Sequence, residues 1–148
     1  MTIHKMTRPY LYGAYGSNLN VEQMQWRCPD AVAEDVVLLP DYKLIFRGVA
    51  DCIESQGSKA PLGLWKITPR CEAALDIYEG YPRLYTKKFI RLAGVSEKIM
   101  IYVMNNADHV APPSAGYLRT LVHGYRDFRF DPDYLREAVK HSYINETA

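Results

Sequence analysis

Cysteine is scarce in this chain: Cys28, Cys52 and Cys71 are the only three, and none sits in a CxxC pair. An odd, unpatterned set argues against both a disulfide framework and a zinc knuckle. Charge of one sign is missing as well, since 18 Lys and Arg stand against 17 Asp and Glu. A net charge of +1 leaves no electrostatic footprint for nucleic acid or an anionic membrane. No apolar run reaches membrane-spanning length. Residues 1–8 are polar and basic, without the apolar centre of a secretion signal. Repeats, low-complexity tracts and linkers are absent too. These absences lead to the expectation of a cytoplasmic protein, monomer or homodimer, with no nucleic-acid or membrane partner.

What is present is an ordinary globular composition, 48% hydrophobic and 24% charged, in a chain of 148 residues. That length suits one domain with one core, so residues 1–148 are read as a single domain. Tyrosine is the outlier, with twelve copies. A buried tyrosine hydroxyl needs a partner, so several are expected to line a polar pocket or a wet core.

Residues 10–15 read as an aromatic-rich first strand. Asn20 is placed to cap a short helix from Val21 to about Arg27, which Pro29 stops. Residues 36–39 and 42–46 read as strands separated by a turn at Pro40-Asp41, followed by a strand at 49–53. Residues 54–61 are read as a polar loop, and 62–67 as the next strand. Thr68 as N-cap, Pro69 at the first helical position and Glu72 in the first turn predict a helix ending at Gly80. Cys71, Ala74, Leu75 and Tyr78 form its expected packing face. Strands follow at 85–92 and 98–104, the second apolar on both faces as a central strand would be. Ser114 then caps a helix to about Gly124, and Asp131-Pro132 opens a last helix over 134–141. Strands early and helices late predict an α+β fold around a mixed, strongly curved sheet.

Two places carry chemistry. The run Tyr12-Gly13-Ala14-Tyr15-Gly16-Ser17-Asn18-Leu19 begins as a strand and breaks into small residues before a helical pattern. Gly lets a ligand approach the main chain, and N–H groups at a helix start attract anions, which suits this turn to cradle a carboxylate. The second place is Glu79, in the last turn of the helix after Thr68. A carboxylate there faces the negative end of the helix dipole, at a cost of roughly 0.3–1 kcal/mol, and its pKa should rise. Two readings stand: a general base tuned toward neutral pH, or a solvated acid paired with Arg70, Arg83 or Lys87. Ser17 lacks a GxSxG elbow and a spaced His–Asp pair, which argues against a serine nucleophile. The four histidines are scattered, and no acidic cluster has metal-ligand cadence. Tyr117, in the first turn after Ser114, either projects into a cleft or packs beside Leu118 and Leu121.

Taken in order, these segments resemble the γ-glutamylcyclotransferase family in its broad, AIG2-like sense. The resemblance runs through Tyr12 to Leu19, Arg27-Cys28-Pro29, Leu44-Ile45-Phe46 and Gly63-Leu64-Trp65. It is sharpest at Leu75-Asp76-Ile77-Tyr78-Glu79-Gly80-Tyr81-Pro82 followed by Tyr85, and closes at Pro113-Ser114 and Tyr117. It implies a small α+β domain with a mixed, barrel-like sheet and a cavity at one end. It also implies release of 5-oxoproline from a small-molecule γ-glutamyl substrate, with no cofactor and no metal. By resemblance, the substrate cradle is Tyr12, Gly13, Ala14, Tyr15, Gly16 and Ser17, with Asn18 adjoining. Glu79 matches the acid/base, Tyr117 a substrate contact, and Tyr85 a pocket wall.

Overall fold

The computed structural model describes residues 10–105 and 109–144. The reading of residues 1–8, His4 among them, lies outside these. Five strands form one mixed sheet in the order β2-β3-β1-β5-β4. They are β1 (Tyr10–Ala14), β2 (Val32–Arg47), β3 (Val49–Ile67), β4 (Tyr85–Ile90) and β5 (Ile99–Met104). β1 lies in the middle, antiparallel to β3 and parallel to β5. β2 and β4 are the two edges, so the expected barrel-like sheet stops short of closure. Four α-helices flank it: α1 (Val21–Arg27), α2 (Pro69–Glu79), α3 (Ala115–Phe128) and α4 (Asp133–Ile144). Among the described residues, no helix is long and apolar enough to cross a membrane.

The helix starts follow their capping chemistry. The Asn20 side chain accepts from the Gln23 N–H at 3.0 Å, Thr68 Oγ1 from the Cys71 N–H at 3.3 Å, and Ser114 Oγ from the Tyr117 N–H at 3.2 Å. Each satisfies a donor left without an intrahelical partner. Gly80 ends α2 in the left-handed conformation (φ 68°) that favours a residue without a Cβ. Helix α3 runs four residues past the expected Gly124, ending on Arg129 with φ 59°.

The expected turn at Pro40-Asp41 and the expected loop at 54–61 are both strand. β2 and β3 form one long antiparallel hairpin, and Asp41 (φ 62°) marks a bulge between the Pro40 and Tyr42 pairings. Its carboxylate accepts from the Gly57 N–H at 2.9 Å, so the turn chemistry serves a kink within the ladder rather than a chain reversal. The polar residues of 54–59 lie in an outer part of the hairpin where most side chains face solvent.

The core lies where β1, β3 and β5 meet the helices. Trp65, Phe46, Met24, Leu62 and Ile101 are almost wholly removed from water there. Burying each such side chain contributes roughly 1.5–3 kcal/mol. Helix α3 presses on a single 3-10 turn, Ser17–Leu19, that directly follows β1. Contact is so close that a Cβ on Gly124 would stand 2.6 Å from Leu19 Cβ and 2.8 Å from its backbone carbon. Gly124→Ala should therefore destabilise the protein by about 1–3 kcal/mol. Gly116→Ala, where the nearest atom is Arg119 Nη2 at 4.0 Å, should gain up to about 1 kcal/mol of helix propensity. Urea denaturation of the two variants reads both signs.

Candidate functional site

Because β1 and β5 run parallel and β4 pairs Tyr85 with Met104, three strand ends meet at one end of the sheet. The turn after β1 leaves from that end. The tip of the β2–β3 hairpin reaches the segment before α3, with the Gly48 N–H on Ala111 O at 2.9 Å and the Ala111 N–H on Phe46 O at 3.0 Å. Between these pieces and the C-terminal end of α2 lies a cavity of about 280 Å³.

Most of the residues singled out in the sequence converge on it. Tyr12, Tyr15, Gly16, Ser17, Asn18, Glu79, Tyr85 and Tyr117 all line the cavity. Gly13 and Ala14 do not: Ala14 is buried, and a Cβ on Gly13 would meet Ile99, Ile101 and Leu62. Gly16 needs its small size because a Cβ would stand 3.2 Å from the Tyr117 hydroxyl and from Ala50 Cβ. Val49, Ala50, Tyr78, Leu84 and Tyr102 complete the walls. None of these five was singled out from the sequence as a site residue. Tyr78 was expected on the packing face of α2, but it is 44% exposed and its hydroxyl lies 2.8 Å from Ser17 Oγ.

Glu79 ends α2 half-buried, with its carboxylate facing the cavity. The cations offered as its surface partners are engaged elsewhere or stand apart from it. Arg70 pairs with Asp30 at 2.7 Å, and Lys87 with Glu72 and Asp76. Among the described residues Glu79 forms no ion pair. Its contact is the Asn18 side-chain amide, which donates to Oε1 at 3.4 Å, and the same amide donates to the Tyr12 hydroxyl at 2.9 Å. Burial pushes the Glu79 carboxyl up to about 7, against an opposing pull from the Arg27 charge.

The tyrosines around it are neutral and tethered. Tyr15 donates to Tyr102 O, Tyr85 to Ala50 O at 2.8 Å, and Tyr102 to Asp76 Oδ1 at 2.6 Å. The Tyr117 oxygen accepts from the Ala50 N–H at 3.0 Å. Burial raises Tyr12, Tyr15, Tyr85, Tyr102 and Tyr117 above the usual phenol range. They act as hydrogen-bonding walls, and Glu79 is the cavity group whose protonation changes near neutral pH. The Cys28 thiol, pushed up to about 12 chiefly by burial, is outside this cavity and a poor nucleophile. Among the described residues, no group of three or more His, Cys, Asp or Glu side chains is placed to hold a metal ion.

The family model described as gamma-glutamyl cyclotransferase, AIG2-like, matches residues 12–120. The gamma-glutamylcyclotransferase of Bos taurus is 31% identical over 134 residues, covering 80% of this chain and 71% of the bovine one. Among solved structures, an uncharacterized protein from Homo sapiens superposes with a TM-score of 0.77 at 26% identity, covering 88% of this chain and 86% of that one. A structure named gamma-glutamyl cyclotransferase superposes with a TM-score of 0.74, also at 26% identity and with the same coverage.

A carboxyl raised from 4.5 to about 7 by the fold makes stability depend on pH. Its folded form holds the proton more tightly than its unfolded form. Its contribution is therefore full below pH 4.5 and is lost as pH rises through about 7. Glu79→Gln removes that dependence. The variant should gain on wild type between pH 5 and pH 8 by roughly 1–3 kcal/mol, measured by denaturant unfolding at both values. A stability difference that stays flat with pH contradicts the burial of this group.

Proposed function

This chain belongs to the gamma-glutamyl cyclotransferase, AIG2-like family of enzymes, and from that premise we propose that it releases 5-oxoproline from a γ-glutamyl amino acid or peptide. The observation that carries the reading is the half-buried Glu79 carboxyl, poised near pH 7 in the same cavity as the Gly16-Ser17-Asn18 turn.

The reaction is intramolecular. The substrate's α-amine nitrogen attacks its own side-chain amide carbon and closes a five-membered ring. The bond from that carbon to the leaving nitrogen then breaks. An α-amine of pKa about 8 is mostly protonated at neutral pH, so it must first surrender a proton. The leaving amine must gain one. The ring nitrogen loses a second proton on becoming the lactam N–H. Glu79 takes these protons in turn and returns them to the departing nitrogen, which leaves as an ammonium, so the chemistry balances without an outside base. A carboxyl near pH 7 accepts and donates with comparable ease, and such transfer is typically worth about 10²–10⁴ in rate.

The cavity's other task is to bend the substrate. Backbone N–H groups of the turn after β1 hold the α-carboxylate in this scheme. The tyrosines Tyr12, Tyr15, Tyr85 and Tyr117 wall the glutamyl chain, which keeps the amine near its own carbonyl. Orientation of this kind contributes up to about 7–11 kcal/mol in the best cases. Gly13 and Ala14 support the cradle from beneath, through the packing of β1. The three free, buried cysteines suit a reducing, cytoplasmic setting.

One observation favours a second reading of the leaving group. Among the described residues no Lys, Arg or His lines the cavity, and Val49 and Leu84 contribute apolar surface. A leaving amino acid's carboxylate thus finds no cation on the walls, while a neutral amine does not require one.

Incubation with γ-glutamyl-alanine should yield 5-oxoproline by mass spectrometry, with Glu79→Gln slower by about 10²–10⁴. Equal turnover by the Gln variant removes Glu79 from the mechanism. A parallel set of γ-glutamyl-alkylamines separates the two leaving groups by their kcat/KM.

A further inference from the structure

Arg27, the last residue of α1, is joined to the candidate site by more than its charge. Its Nη1 donates to Asn18 Oδ1 at 2.6 Å and its Nη2 to Gln23 Oε1 at 2.8 Å. The guanidinium carbon lies 3.6 Å from the centre of the Tyr78 ring. Two of these three contacts hold one planar group against cavity residues, Asn18 and Tyr78, that neighbour Glu79 in contact and in sequence, and Gln23 fixes its other side.

The consequence follows from what each group can donate. A guanidinium carries five N–H donors and no acceptor, so it admits only the oxygen end of an amide. With Oδ1 turned to Arg27, the Asn18 nitrogen must face the other way. There it meets the Tyr12 hydroxyl at 2.9 Å and Glu79 Oε1 at 3.4 Å. The reversed amide would set NH₂ against the guanidinium and oxygen against a carboxylate. Asn18 is only 2% exposed, so water offers neither end much relief. Its backbone is held as well, since Trp65 Nε1 donates to Asn18 O at 3.0 Å.

We propose that Arg27 is a positioning residue of this enzyme: it sets the direction of the Asn18 amide and thereby presents an N–H donor to the Glu79 carboxylate. The proposal rests on Glu79 being the acid/base. The same guanidinium favours the ionised carboxylate from a distance, opposing burial. Among the described residues, the other titratable groups that share the cavity with Glu79 are Tyr12 from β1, Tyr15 just after it, Tyr78 from its own helix, Tyr85 from β4, Tyr102 from β5 and Tyr117 from α3. None of these is a cation.

The test uses Arg27→Met, which removes both charge and fork, and Arg27→Lys, which keeps the charge but not the planar fork. In wild type, kcat/KM for γ-glutamyl-alanine should rise with pH through about 7. In the Met variant that rise should move to higher pH, and kcat should fall about 10- to 100-fold with KM little changed. The Lys variant should restore the position of the rise but only part of kcat. A substrate-free readout accompanies it. The Asn18 side-chain amide, followed by ¹⁵N NMR in Arg27→Gln, whose own amide can face Asn18 with either end, should lose its single set of shifts and exchange faster with water. An unaltered amide spectrum in the Arg27→Gln variant overturns the proposal even if the Met variant does not fold. So does a loss of thermal stability with the pH rise and kcat unchanged, because that is the signature of a helix-end arginine acting only in packing. If wild type and Glu79→Gln both turn over equally, the reading of Glu79 fails instead, and the amide spectrum still reports on Arg27.

Discussion

The arrangement depends on keeping one carboxyl away from water without giving it a cation to sit against. Glu79 is delivered by the last turn of α2, where Gly80 turns the chain away in a left-handed cap. A direct ion pair at this point would hold the acid ionised well below neutral pH, and it would neither give up nor take a proton near pH 7. Lys87, the closest candidate in sequence on β4, is instead held by Glu72 and Asp76 of the same helix. Among the described residues, the acids that absorb that cation leave the cavity without a charged partner for Glu79.

Desolvation then needs walls that are large, weakly polar and uncharged, and this accounts for the tyrosine-rich composition. Six of the twelve tyrosines line the cavity. A phenol ring excludes water about as well as a phenylalanine, and its hydroxyl adds a directional tether. Here the fold engages those hydroxyls through Asn18, Ser17, Asp76 and the backbone of Ala50 and Tyr102. Tethered rings form stiff walls, and stiff walls are what an intramolecular ring closure requires. Topology completes the site: a parallel β1–β5 pair puts two strand ends beside one another, and the β2–β3 hairpin is long enough for its tip to reach the same end.

Much of this was legible in the chain because it was written in local chemistry. Asn20, Thr68 and Ser114 cap helices where their side chains predict, and Gly80 stops α2 for the reason its missing Cβ suggests. Glu79 and the turn at 16–18 were recognisable as chemically out of place, one by its charge at a helix end and the other by its small residues. The hairpin was less legible. Polar composition at 54–61 reads as a loop, yet an exposed antiparallel strand accepts polar side chains on both faces. Asp41 has the sequence of a turn and the geometry of a bulge. Tyr78 and Arg27 were hidden for another reason. Helical periodicity assigns a residue to a face of its own helix, but their partners are Ser17 and Asn18, brought near by the packing of α1 and α2 around the β1 turn.

Isotope labelling of the glutamate side chains, with Glu79→Gln to assign the signal, allows the Glu79 carboxyl carbon to be titrated directly by ¹³C NMR in the ligand-free protein. A midpoint near 7 is the predicted result. A midpoint at 4.5 or below would mean that water or a cation reaches the carboxylate, and would contradict the central claim.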